Sequence, residues 1–158
     1  MNHQHTFTAN LKWNKTEATN DNSKKVYTKN HIVEIEGKPD LAVSAAKSFK
    51  GDPSNYNPED LLLTSLMSCH MMSYLYVCQL HSIDVISYQD NATAALEIYS
   101  DGSGKIIEVI LNPIVIIRDN IHVNLAITLH QQANKLCFIA NSCNFPVIHH
   151  PKCSAFEE

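Results

Sequence analysis

Residues 57–80 read NPEDLLLTSLMSCHMMSYLYVCQL, and the fold is decided there. Asn57 is a capping residue type, Pro58 suits the first helical position, and Glu59 and Asp60 put negative charge at the positive end of the helix dipole. From Leu61 to about Leu80 apolar side chains occur on nearly every side of a helix. Such a helix is expected to lie deep, as a central element rather than on a surface. Ser65, Ser68, His70, Ser73 and Gln79 break the apolar run, so a buried helix is a better expectation than a membrane span. The start, MNHQHTFTAN, has no apolar signal core, which argues against a secretory signal.

Upstream of this helix the chain alternates in short runs. His5 to Trp13, Val26 to Glu36 and Leu41 to Ala46 read as strands, the last two joined by a turn at Gly37-Lys38-Pro39-Asp40. The polar stretches Asn14–Lys25 and Lys47–Tyr56 read as loops. Downstream, Val85–Ser100 and Lys105–Arg118 form a strand pair linked by Asp101-Gly102-Ser103-Gly104, with Pro113 marking an edge or a bulge. A second helix is expected over Val123–Ile139, and the tail Asn144–Lys152 adds a short strand. The order strands, long helix, strands, helix, strand gives an α+β protein with largely antiparallel sheets. At 158 residues it is expected to be one domain, residues 1–158, or one protomer of an assembly.

Charged residues make up 18% against 44% hydrophobic, a low charge that points to a surface covered by a partner subunit. The net charge is −4 and no basic run exceeds Lys24-Lys25, which gives nucleic-acid binding no support. The five cysteines, at 69, 78, 137, 143 and 153, are an odd number without a signal peptide. They read as reduced thiols of a cytoplasmic protein, not as a disulfide scaffold.

Cys69 lies about three turns into the central helix. Spacing alone favours a small apolar core residue there, and still more so at Cys78. His70 points about 100° away around the helix and reads as a core histidine. Glu59 stands roughly 15 Å from Cys69 along an unbroken axis, too far to be a direct base for its thiol. His149-His150-Pro151-Lys152-Cys153 has metal-ligand residue types, but its spacing matches no standard pair and it reads as a flexible tail.

Asn57-Pro58-Glu59-Asp60-Leu61-Leu62 followed by Ser68-Cys69-His70, and later Ala133-Asn134-Lys135-Leu136-Cys137-Phe138-Ile139-Ala140-Asn141-Ser142, resemble the two cysteine motifs of the OsmC/Ohr family. The likeness covers nearly the whole chain. It implies an OsmC-like fold in which two chains intertwine as a homodimer around their central helices, with sites at the subunit interface. It also implies a thiol peroxidase without cofactor or metal. Cys69 would attack an organic hydroperoxide or hydrogen peroxide, Cys137 would resolve the resulting sulfenic acid as a Cys69–Cys137 disulfide, and Glu59 would orient an arginine beside the reactive thiol. The reductant would be a dithiol, in some members a lipoyl group. Cys143 is an alternative resolving thiol.

In one respect the chain departs from the family's pattern. The family's arginine lies before the NPE motif or near the first strands, where this chain has lysines: Lys29, Lys47 and Lys50. Its single arginine is Arg118. A lysine carries the charge but not the rigid fork of a guanidinium. Either a lysine substitutes, Arg118 reaches the site, or the chain is a binding or structural dimer with little turnover.

Overall fold

A computed structural model describes residues 3–15 and 27–157, in two compact units, Met1–Leu61 and Leu62–Glu158. From residue 16 the expected polar loop Asn14–Lys25 lies outside the described residues.

In the first unit, β1 (Asn10–Lys12), β2 (His31–Glu34) and β3 (Leu41–Val43) form an antiparallel sheet in that order. The strands are shorter than the alternating runs that announce them. Gly37 takes φ 75° between β2 and β3, a conformation that glycine adopts without a Cβ penalty. Beyond β3 a 3₁₀ turn spans Lys47–Phe49. The chain returns under itself there, since a Cβ at Gly51 would stand 1.7 Å from the Ala45 carbonyl oxygen. Ser44, almost fully buried, pins the loop: its hydroxyl donates to Asn30 Oδ1 at 2.7 Å and accepts from the Asp52 backbone N–H at 3.0 Å.

Helix α1 (Pro58–Leu80) starts where its capping residues predict. Asn57 Oδ1 accepts the Asp60 N–H at 2.9 Å, and Asp60 Oδ2 accepts the Asn57 backbone N–H at 3.3 Å and its side-chain N–H at 2.6 Å, a reciprocal cap that satisfies otherwise orphaned donors. At the other end Ser82 turns left-handed at φ 55°. Ile83 N–H then donates to Cys78 O at 2.9 Å and Ser82 N–H to Gln79 O at 3.1 Å, the paired bonds of a Schellman stop. Among the described residues, α1 is the one helix long and apolar enough to cross a membrane. In the single chain it is buried on one face: Leu66, His70, Tyr74, Val77 and Cys78 point inward. Met72, Leu75, Tyr76 and Leu80 remain 38% to 59% exposed.

The expected long strand pair is bent into two. β4 (Val85–Asp90) pairs with β7 (Pro113–Ile117), and β5 (Thr93–Ile98) with β6 (Gly104–Leu111). The bend is fastened by side chains: Asp90 Oδ1 accepts the Asn112 N–H at 2.7 Å, and Asn112 Nδ2 donates to Asn91 O at 2.8 Å. Pro113 therefore opens a strand, a position that needs no N–H donor. The tail supplies two strands rather than one, β8 (Val147–His149) parallel to β6 and β9 (Lys152–Ala155) parallel to β7. The sheets of the second unit are thus β4-β7-β9 and β5-β6-β8, antiparallel with one parallel edge each.

The second helix is shorter than its periodicity suggests. α2 covers Val123–Leu136 and a single turn, α3, covers Phe138–Asn141. Cys137 breaks them apart at φ −74°, ψ 104°. Tyr74, Val77 and Cys78 of α1 pack with Val115, Ile117, Ala126, Leu129 and Ala133, while Leu66 packs with Val109 and Leu111. Each fully buried aliphatic side chain contributes about 1.5–3 kcal/mol as an upper estimate. One helix face thus serves both hydrophobic clusters, and Cys69 and His70 fall between them.

Candidate thiol site

Cys137 leaves helical backbone to cap α3, its Sγ accepting the Ala140 N–H at 3.4 Å. That break turns its thiol, which is fully buried, onto the thiol of Cys69. Burial first, and then the neighbouring Cys69 thiol, push the Cys137 pKa up to about 11. Near neutral pH Cys137 is therefore a protonated thiol. Cys69 is only partly buried and lines a cavity of about 360 Å³ with Met72, Ser73, Tyr76, Leu136 and Phe138. The walls are apolar apart from one hydroxyl and one phenol, which suits a small molecule with a hydrocarbon body.

The other thiols are placed differently. Cys143 Sγ donates to Ile139 O at 3.3 Å. Cys78 is buried against Tyr74, with Cys153 packed on the same cluster. Burial raises the pKa of all three.

Glu59 lies in the first turn of α1 with its Oε2 buried and unpartnered. Within the first unit the three lysines gather at one turn. Lys47 opens it, Lys50 closes it in left-handed backbone at φ 59°, and Lys29 Nζ donates to Phe49 O. Arg118 is engaged elsewhere. Its Nε meets Asp84 Oδ2 at 2.7 Å and its backbone N–H donates to Asp84 O at 2.9 Å. Asp84 follows the end of α1, which lies about 16 Å along the helix axis from Cys69.

A column of histidines is the feature that sequence reasoning missed. His70 and His130 are almost fully buried, and His70 Nε2 lies 3.0 Å from His130 Nδ1. His149 stacks on His70 at 4.3 Å between ring centroids, and Tyr74 stacks on His130 at 3.9 Å. His149 is no part of a loose tail: the β6–β8 register sets it opposite Leu111 and turns it into the core. Its only sequence signal is the pair Val147-Ile148, too short to show a period. Burial first, then the neighbouring imidazoles, depress His70 to about 3 and His130 to about 4, and burial also lowers His149. All three rings are neutral near pH 7. Among the described residues no three His, Cys, Asp or Glu side chains are arranged to hold a metal ion.

Residues 51–150 match the model of a family described as OsmC-like protein. No curated protein matches the chain in sequence. Its fold is similar to that of an OsmC-like protein of unknown function from Vibrio cholerae, at TM-score 0.81 and 28% identity, covering 94% of this chain and 99% of that one. It is also similar to an organic hydroperoxide resistance protein from Elizabethkingia anophelis, at TM-score 0.71 and 16% identity, covering 99% and 100%. A third similar structure is an organic hydroperoxide resistance protein, OsmC, from Legionella pneumophila, at TM-score 0.70 and 18% identity, covering 95% and 97%.

Proposed function

Because this chain belongs to the OsmC-like family, we propose that it is a thiol-dependent peroxidase, with Cys69 as the attacking sulfur and Cys137 as the resolving one. The observation that carries this reading is the contact between a buried thiol and a thiol that opens on an apolar cavity. The names of two structural neighbours, both organic hydroperoxide resistance proteins, support the same chemistry.

The Cys69 thiolate attacks one peroxide oxygen, the O–O bond breaks, and the other oxygen leaves as an alcohol after protonation. The Cys69 sulfenic acid condenses with the Cys137 thiol, releasing water and closing a disulfide. An external dithiol, lipoyl groups included, reduces that disulfide and is itself oxidised. Because Cys137 neighbours Cys69, its thiol captures the sulfenic acid before a second peroxide oxidises it further. In the roles that the family resemblance implies, Glu59 orients a cation, and Lys29, Lys47 or Lys50 from either chain of a homodimer supplies the charge. The 158 residues act as one protomer of that dimer, in the cytoplasm.

A second reading, a binding or structural dimer with little turnover, is favoured by one observation: the single arginine is held by Asp84. A peroxidase assay with an organic hydroperoxide and a dithiol separates the two. We expect turnover in the wild type and at least a hundredfold loss in Cys69→Ser, as for removal of a nucleophile. Equal rates in both proteins exclude Cys69 as the nucleophile, and no turnover in either leaves the binding dimer.

A further inference from the structure

We propose that His70 and His130 are positioning residues for closing the Cys69–Cys137 disulfide. Their hydrogen bond holds the helix that carries the first thiol in register with the helix that ends at the second. The biological use of this device rests on the peroxidase reading, but the register itself is measurable without any peroxide.

The two histidines are neighbours of the two thiols on the same helices. His70 follows Cys69 on α1, turned inward by about 100°. His130 precedes Cys137 by about two turns of α2, on the buried face that also holds Ala126, Leu129 and Ala133. Three contacts cross between the helices. The Cys69 thiol meets Cys137, His70 Nε2 lies 3.0 Å from His130 Nδ1, and Tyr74 Oη donates to Ala126 O at 3.2 Å. Passing along α1 from 69 to 70 to 74, the partners run backward along α2, from 137 to 130 to 126. The thiols stand at one end of this series of contacts and the Tyr74 hydroxyl at the other. His149 on the outer face of His70, and Tyr74 over His130, leave the two rings little room to turn.

A disulfide tolerates only a narrow range of Cα and Cβ separations. A slip of one residue along a helix is about 1.5 Å, enough to spoil that geometry. Hydrophobic burial is non-directional, so on its own it fixes the relative placement of the two thiols less sharply than a directional bond does. A hydrogen bond between neutral imidazoles is directional, one nitrogen donating and the other accepting. The arrangement also carries a cost that packing alone does not explain. His70 Nδ1 and His130 Nε2 are buried without partners, and an apolar pair of similar volume would avoid that penalty.

The test is equilibration of the full chain with oxidised and reduced dithiothreitol, followed by acid quench and intact mass. In this exchange the Cys69 thiolate opens the cyclic disulfide to a mixed disulfide. The Cys137 thiolate then displaces the reagent as its dithiol, whose two sulfurs take up the protons that Cys69 and Cys137 lost. The protein dithiol is oxidised and the reagent reduced. We expect His130→Ala and His130→Leu to lower the equilibrium constant for the Cys69–Cys137 disulfide at least tenfold, about 30 mV. His130→Asn, which returns a polar atom near the Nδ1 position, should recover it to within about threefold, and His70→Gln should do the same for Nε2. His130→Leu is the variant that separates register from stability: it fills the space and keeps the fold, yet loses the coupling. An unchanged constant in His130→Leu overturns the proposal, as does a loss in His130→Asn equal to that in His130→Leu. Equal peroxidase rates in wild type and Cys69→Ser would sink the catalytic reading and leave this measurement untouched.

Discussion

Cys137 is sealed from solvent while the thiol it touches, Cys69, opens on an apolar cavity. The two sulfurs therefore differ in access, and the proposed peroxidase reading predicts from this that Cys69 is used before Cys137. Removing the sealed thiol should leave the first oxidation intact and block the second. After one equivalent of hydroperoxide, wild-type chains should lose two hydrogens, whereas Cys137→Ala should gain one oxygen and then more with excess peroxide. A two-hydrogen loss that persists in Cys137→Ala transfers the resolving role to Cys143 or another thiol.

The buried histidines make the fold acid-sensitive. In the unfolded chain each titrates near 6.5, but the folded values fall to about 3 for His70 and about 4 for His130. Below about pH 6.5 the unfolded state binds protons that the folded state refuses, so stability drops as pH falls and levels only once the folded rings are protonated. Each such ring adds a slope of up to about 1.4 kcal/mol per pH unit. Urea midpoints from pH 7 to pH 4 should fall steeply, and less steeply in His130→Asn, which has no ring to protonate. Parallel slopes in the two proteins would mean that His130 is not refused its proton.

Much of this was legible in the sequence, and the reasons differ by residue. Asn57, Pro58 and Asp60 act locally, so the start of α1 was readable to the residue. The bend at Asn112 was not: apart from Pro113 the run Lys105–Arg118 is strongly β-forming, and the bonds that fasten the bend run to Asp90 and Asn91 on the far side of the hairpin. The break at Cys137 was hidden because Phe138 and Ile139 continue the apolar pattern of α2. Cys69 and Cys137 were named as candidates through motifs, whereas His70, His130 and His149 come from three distant segments that only the tertiary fold unites.

Gly51 is required by a close approach, not by an unusual φ. A methyl group there collides with the Ala45 backbone, so Gly51→Ala must displace the loop that carries Lys47 and Lys50. A cost of about 2–4 kcal/mol is expected, in the range of backbone clashes that cannot relax. Urea denaturation reads it directly. A midpoint within error of the wild type would show that the loop yields without cost.

The uncovered face of α1 leads to the last prediction. Met72, Leu75, Tyr76 and Leu80 are large apolar groups on one helix, each at least 38% exposed in the single chain. A contiguous apolar stripe of this kind is a surface for association, and the homodimer of the proposed function would bury it. Sedimentation equilibrium should therefore give about twice the 17.7 kDa chain mass. Carboxylates placed in the stripe, as in Leu75→Asp with Tyr76→Asp, would lie unpaired in the interface. Burying the four such charges of the variant dimer costs several kcal/mol or more, and at 1.4 kcal/mol per tenfold dimer dissociation should rise by at least a hundredfold. Thr64→Asp, off the stripe on the side of α1 that carries Asp60 and Ser68, should weaken the dimer less. If the double variant sediments as the wild type does, or the wild type itself is monomeric at tens of micromolar, the stripe is not where two copies meet.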